Sequence, residues 1–193
     1  MKTTILLLAI ALLGGACNKN SGATAPKSKA VQAIGELHYT APEGWQEEKP
    51  NSNMRVAQYH LPKAEGDSAD AELVLYYFGQ GQGGSAQANI DRWLNQMQQP
   101  DGSPSKGKAK IENMTVNSMP VTTVDVLGKY NGGMASPGAS PSATPADMSN
   151  YRLRAAIIET PKGSYFVKLT GPQATVSRWD QAYIAYIKSF EFK

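Results

Sequence analysis

Seven short runs bounded by turn-forming residues constrain this chain most: residues 36–40, 54–61, 71–78, 110–116, 121–129, 151–160 and 164–170 all read as strands. Several alternate. In the second run Met54, Val56, Gln58 and His60 share one side, and Arg55, Ala57, Tyr59 and Leu61 the other. Pro161, Lys162 and Gly163 leave only a short turn between the last two runs, which implies an antiparallel hairpin. Asn117-Ser118, ahead of Met119 and Pro120, suggests a second hairpin.

Two helical segments interrupt the strands. The first begins after Ser85, a good N-cap, and runs to Gln98, with Ile90, Trp93, Leu94 and Met97 along one stripe before Pro100 and Gly102 stop it. The second opens after Gly171 and Pro172 and sets Val176, Trp179, Tyr183 and Ile187 on one face, with Phe190 beyond. Ile90-Asp91-Arg92-Trp93 and Val176-Ser177-Arg178-Trp179 echo one another faintly. The pattern predicts one α+β domain, an antiparallel β-sheet with helices laid on it and Trp93 and Trp179 in the helix-to-sheet seams.

Ahead of these elements lies a processing signal. Lys2 precedes an apolar run from Ile5 to Leu13, too short to span a bilayer, and Gly14, Gly15, Ala16 and Cys17 follow. Small residues before Cys17 place a predicted cut after Ala16, so 1–16 reads as a signal peptide. The stretch resembles the bacterial lipobox, although Gly14 stands where that pattern prefers Leu. Lipidation at Cys17 would make the chain an exported lipoprotein anchored in the cell envelope, facing the periplasm or the cell exterior; ordinary secretion with the same cut is the alternative. Cys17 is the only cysteine, so no intrachain disulfide and no cysteine-rich zinc cluster can form.

Residues 17–34 read as the lipidated cysteine and a polar tether, and the domain as 35–193, with a long low-complexity loop of Gly, Ala, Ser and Pro at 131–150. The formal charge of +3 falls to +2 once Lys2 is removed, and the basic residues are scattered, which argues against a nucleic-acid partner.

Leu37-His38-Tyr39-Thr40-Ala41-Pro42-Glu43-Gly44-Trp45 near the domain start and Tyr186-Ile187-Lys188-Ser189-Phe190 at its end resemble the PsbP and DcrB-like proteins, many of them small exported lipoproteins. That resemblance implies an α/β/α sandwich and a binding or assembly role beside membranes, without enzymatic activity. Pro42, Gly44 and Trp45 match, in an architectural capacity: the first two set a turn, and Trp45 is expected to cover a sheet edge.

Candidate chemistry is sparse. Gly79-Gln80-Gly81-Gln82-Gly83-Gly84, followed by Ser85, contains G-x-G-x-x-G between a strand and a helix, and amides at such a helix start can cradle an anion. The antiparallel pattern and the absence of a suitably placed acidic strand end argue against a dinucleotide. Gly79, Gly81, Gly83, Gly84 and Ser85 therefore stand as a candidate anion or polar-ligand site, against a flexible connector. His38 and His60, the only histidines, both fall in strands with no G-x-S-x-G elbow in the chain. Glu65, Asp67, Asp70 and Glu72 lack the full calcium-loop pattern and read as a solvated turn. Tyr76, Tyr77 and Phe78 could line a pocket but fit core packing.

The expectation is a membrane-anchored, non-catalytic module without cofactor or metal that binds an envelope protein or a small ligand. Two alternatives stand beside it: an anion sensor at the glycine turn, and a periplasmic enzyme using carboxylates such as Asp67, Asp70 or Asp91.

Overall fold

The computed structural model describes residues 28–50, 52–131 and 147–193. The signal segment, Cys17 and residues 132–146 of the low-complexity stretch lie outside the described residues.

All seven expected strands are present. In chain order the strands are β1 (Ser28–Ile34), β2 (Leu37–Pro42), β3 (Gln46–Glu48), β4 (Arg55–Leu61), β5 (Ala71–Tyr77), β6 (Met97–Gln98), β7 (Lys110–Val116), β8 (Met119–Tyr130), β9 (Tyr151–Thr160), β10 (Gly163–Pro172) and β11 (Glu191–Phe192). The main sheet is ordered β3-β4-β5-β10-β9-β8, with β7 and β6 on different stretches of β8, and every pairing is antiparallel. A small sheet, β1-β2-β11, stands apart.

Both expected hairpins form, and their turn residues explain them. Val116 pairs with Met119 across Asn117 and Ser118, which take φ of 45° and 68°; two consecutive positive angles give the turn whose twist matches the strands it joins. Thr160 pairs with Gly163 across Pro161 and Lys162. A third hairpin occupies part of the stretch expected as tether: Ile34 pairs with Leu37 across Gly35 and Glu36, with Gly35 at φ 59°, so strand pairing among the described residues reaches back to Ser28. The segment is polar and small because β1 is an edge strand; Val31 is exposed.

The helices are α1 (Ala86–Asn95), α2 (Gln173–Arg178) and α3 (Asp180–Lys188), with one 3-10 turn at Ser105–Gly107. Ser85 caps α1 as expected, its Oγ accepting from the Ala88 amide at 3.2 Å. Two differences follow from tertiary pairing. Met97 and Gln98, expected as the last helical turn, leave α1 to pair with Tyr130 and Lys129. The second expected helix is broken at Trp179 (φ −94°, ψ 9°), whose indole N–H donates to the Pro62 carbonyl at 2.9 Å.

Alternation along the strands sends apolar side chains to both faces of the main sheet. One face meets α2, α3 and β2 in a core that includes Trp45, Tyr59, Leu73, Leu75, Val167, Tyr186 and Phe190. The other meets α1 in a smaller core of Ile90, Trp93, Leu94, Met97, Val124, Val126, Leu153, Ile157 and Phe166. The chain is thus an α+β domain with an antiparallel sheet flanked by helices on both faces, the layering that the PsbP resemblance implied.

Candidate functional site

The α1 side of the sheet is covered over only part of its width, and cross-strand register shows where cover stops. One row runs Gln46, His60, Glu72, Thr170, Leu153, Val126; the next runs Glu48, Gln58, Val74, Lys168, Ala155, Val124; a third runs Arg55, Tyr76, Phe166, Ile157, Thr122. Apart from Val74 on β5 and Thr122 on β8, the rows turn from polar or aromatic on β3, β4 and β5 to apolar on β9 and β8. On this side α1 packs toward β8 and β6, and its main strand contacts do not include β3, β4 or β5. Half the face is a helix-covered core, and the other half carries a partly exposed polar array around the buried Gln58 and Val74.

Within that array the side chains bind one another. Arg55 Nη1 donates to Gln58 Oε1 at 2.8 Å and to Glu72 Oε1 at 3.0 Å. Gln58 in turn donates from Nε2 to Glu48 Oε2 at 2.6 Å, the same oxygen that meets His60 Nε2 at 2.8 Å. Simple alternation places Arg55 on the opposite side from Gln58. The structure corrects this: the β4–β5 register shifts between Arg55 and Ala57, and the bulge turns Arg55 onto the Gln58 side.

Lys168 lies at the seam between the polar and apolar halves. Its Nζ donates to Gln96 Oε1 and to the Tyr130 hydroxyl, each at 2.7 Å, and sits 5.0 Å from the centroid of the Tyr130 ring. Both acceptors are neutral. Burial pushes its ammonium down to about 8, with the Glu72 charge opposing the shift and Arg55 adding to it. Burial likewise raises the Tyr130 hydroxyl to about 12, and raises that of Tyr76. Tyr76 stacks with Phe78 at 6.0 Å, forming an aromatic border to the array. His60 and Glu72 stand out in the sequence, but no local pattern joins them to Arg55, Gln58 or Lys168. A further signal is Lys168 itself, the sole charge in the strand that reads GSYFVKLTGP.

Apart from His60 and Glu72, the residues that the sequence nominated are distributed elsewhere. Gly79, Gly81, Gly83 and Gly84 all take positive φ in the connection from β5 to α1. The carbonyls of Gly83 and Ser85 accept from Asn89 Nδ2 at 2.8 and 2.9 Å, and a Cβ on Gly83 would come within 2.8 Å of both Phe78 and Phe166. Gly83 is therefore packed against the smaller core. Gly83→Ala, which adds a left-handed strain to that clash, should lower unfolding free energy by about 2 kcal/mol in a urea titration; an unchanged midpoint would remove the packing argument.

The three aspartates do not converge. Asp67 Oδ2 accepts from the Thr175 amide at 2.7 Å, tying the β4–β5 connection to the first turn of α2. Asp70 accepts from the Lys63 amide, and Asp91 lies on α1 across the sheet, receiving Gln87. Among the described residues no three His, Cys, Asp or Glu side chains are grouped to hold a metal ion. His38 pairs in β2, between Ala33 and Glu191.

Trp45, expected over a sheet edge, is only 1% exposed and packs against Tyr59 and Tyr186 inside the larger core. It is Trp179 that lies over Gly44, whose Cβ position is 2.9 Å from the indole ring; Pro42 is buried at the end of β2. Trp93 is buried in the smaller core, its ring 6.5 Å from that of Phe166.

On the opposite face Arg152 and Arg154 project beside Asp125 and Asp180. Arg152 pairs with Asp125 at 2.6 Å and Asp180 at 3.2 Å, and the Arg154 guanidinium contacts Asp180 and lies 4.5 Å above the Tyr183 ring. This network fastens the first turn of α3, where Asp180 also complements the helix dipole. A cleft of about 550 Å³, lined by Lys108, Asp125, Arg152, Gln173 and Ser177 among others, borders it.

No protein-family profile matches the chain. No curated protein matches it either. Among solved structures it is similar to a protein of unknown function, PA94 from Pseudomonas aeruginosa, described as a candidate regulator, at 13% identity and a TM-score of 0.47 over 86% of this chain and 98% of that one. It is also similar to the cyanobacterial PsbP protein, CyanoP, of Synechocystis, at 10% identity and a TM-score of 0.49 over 94% of this chain and 99% of that one. Both are remote structural resemblances; the fold described above rests on the geometry of this chain.

Proposed function

We propose that this chain is a non-catalytic binding module, lipidated at Cys17 and held at the surface of an envelope membrane, that meets its partner through the open polar half of the sheet. The observation that carries the reading is the division of one sheet face. Arg55, Glu72, Glu48 and His60, each at least partly exposed and joined through the buried Gln58, stand beside a half covered by α1. Charged side chains that bind one another on a bulged strand define a fixed pattern of donors and acceptors, and such patterns select partners more than they tighten binding.

No described helix is long and apolar enough to cross a membrane, so attachment in this reading depends on the lipid. Only ten residues separate Cys17 from Ser28, a reach of roughly 40 Å at full extension. A partner would accordingly be membrane-bound or close to the membrane.

In-cell photocrosslinking tests both halves of the reading. A photoreactive residue at His60, on the open array, should trap one dominant adduct, and the same residue at Gln181, on the exposed side of α3, should not. Equal adducts from both positions, or none, would defeat the binding face. Cys17→Ser should accumulate unprocessed precursor in the membrane fraction, and normal maturation of that variant would leave secretion without a lipid.

A further inference from the structure

We infer that Lys168, with Arg55 two strands away on the same face, is the receiving end of a site for a carboxylate group on the polar half of the sheet; this deepens the binding reading above by naming a ligand class. Lys168 has no carboxylate counter-charge within ion-pair distance among the described residues. All 16 Asp and Glu residues of the chain fall among the described residues, and none has a carboxylate oxygen within 4 Å of Lys168 Nζ. An ammonium carries three N–H groups. Two are given to neutral acceptors, Gln96 and Tyr130, which orient the nitrogen without balancing its charge.

Desolvated cations in proteins are ordinarily paired, because a charge taken out of water without a partner is costly. Lys168 is the exception here. The other half-buried cations on the sheet all have carboxylates: Arg55 has Glu72, and Arg152 and Arg154 share Asp125 and Asp180. Position adds to the point, since Lys168 lies where α1 cover ends, one row along the strands and two strands across from Arg55.

The neighbouring charges choose among anions. Glu72 and Glu48 share the face, so a dianionic phosphate would meet repulsion that a singly charged carboxylate largely escapes. The Tyr76 and Phe78 rings offer an apolar border for the carbon skeleton attached to it. Such a group could belong to a small organic acid or to the C-terminus of a peptide.

Lysine labelled with ¹³C at Cε reports the ionisation of Lys168 directly, its resonance being assigned by its loss in Lys168→Met. In the wild-type protein, acetate should raise the titration midpoint of Lys168 by about one pH unit, because a bound anion favours the charged ammonium. Arg55→Gln should weaken that response about tenfold, the effect of losing one charge-assisted contact. A short peptide with a free C-terminus that shifts Lys168 where its C-terminal amide does not would support the site and assign it to peptide termini. Response to acetate but not to the peptide would support a small acid. No response to either, or a response to inorganic phosphate alone, overturns the carboxylate site. These measurements use purified protein, so a crosslinking failure in cells with a positive titration would sink the partner and keep the site, and the reverse would do the opposite.

Discussion

Trp45→Ala should cost about 4 kcal/mol of unfolding free energy, within the range seen when a large buried aromatic is truncated. Its indole, 1% exposed, packs 5.6 Å from the Tyr59 ring and 5.0 Å from that of Tyr186, which in turn meets Tyr39 and Phe190. Those residues come from β2, β4, α3 and the segment after α3, so the cavity would open where both ends of the domain meet the sheet. In a domain of this size a loss of that order lowers Tm by roughly 8–16 °C. Trp179→Ala should cost about half as much: its ring is half-buried and lies over Gly44 and the Pro62 carbonyl. Calorimetry on both variants checks the order. Equal losses, or a smaller loss at Trp45, would mean that the aromatic cluster of β2, β4 and α3 is not the centre of the larger core.

The reversal of roles between the two tryptophans shows where the sequence stops being informative. Pro42-Glu43-Gly44-Trp45 is legible as a turn, and the turn is there, with Gly44 at φ 89°. Which tryptophan fills the core and which lies over the glycine depends on how α3 docks on β2, a contact between elements more than 130 residues apart that no local pattern carries. The seven strands and the α1 cap were readable because alternation and capping are local physics. β1, β3, β6 and β11 were not, since edge strands of two to seven residues owe their conformation to a neighbour's hydrogen bonds.

The site divides in the same manner. The glycine turn carried a recognisable motif, yet Gly83 is fitted between Phe78 and Phe166. The polar array carried none: Arg55, Glu72, Lys168 and Tyr130 lie on four strands, and only register brings them to one face. Even alternation misplaces Arg55, because a bulge inserts one residue and reverses the side on which it emerges.

Lys168 should also be a residue that the fold holds at a cost, and replacing it should reveal the cost as a function of pH. The groups facing it are Arg55 from β4, Glu72 from β5, Tyr130 from β8 and Gln96 at the end of α1. Burial outweighs their net effect and lowers the ammonium from 10.5 to about 8. Between those values the unfolded chain retains a proton that the folded chain has released, so the contribution of Lys168 to stability rises with pH through that window. Below about pH 8 both states are charged and the full penalty applies; above about 10.5 both are neutral and it is gone. A shift of this size corresponds to about 3 kcal/mol. Lys168→Met, which keeps the side chain's length and removes its charge, should therefore gain stability relative to wild type at pH 7, offset in part by the abandoned Gln96 and Tyr130 acceptors, and lose about 3 kcal/mol of that advantage by pH 11. Denaturant titrations of both proteins from pH 6 to 11 measure the difference directly, since every other titrating group is common to the two. Parallel curves would show that the ammonium is not destabilised by the fold. Converging curves would show that the chain retains a cation at the expense of stability, the expected trade where a residue serves binding and not folding.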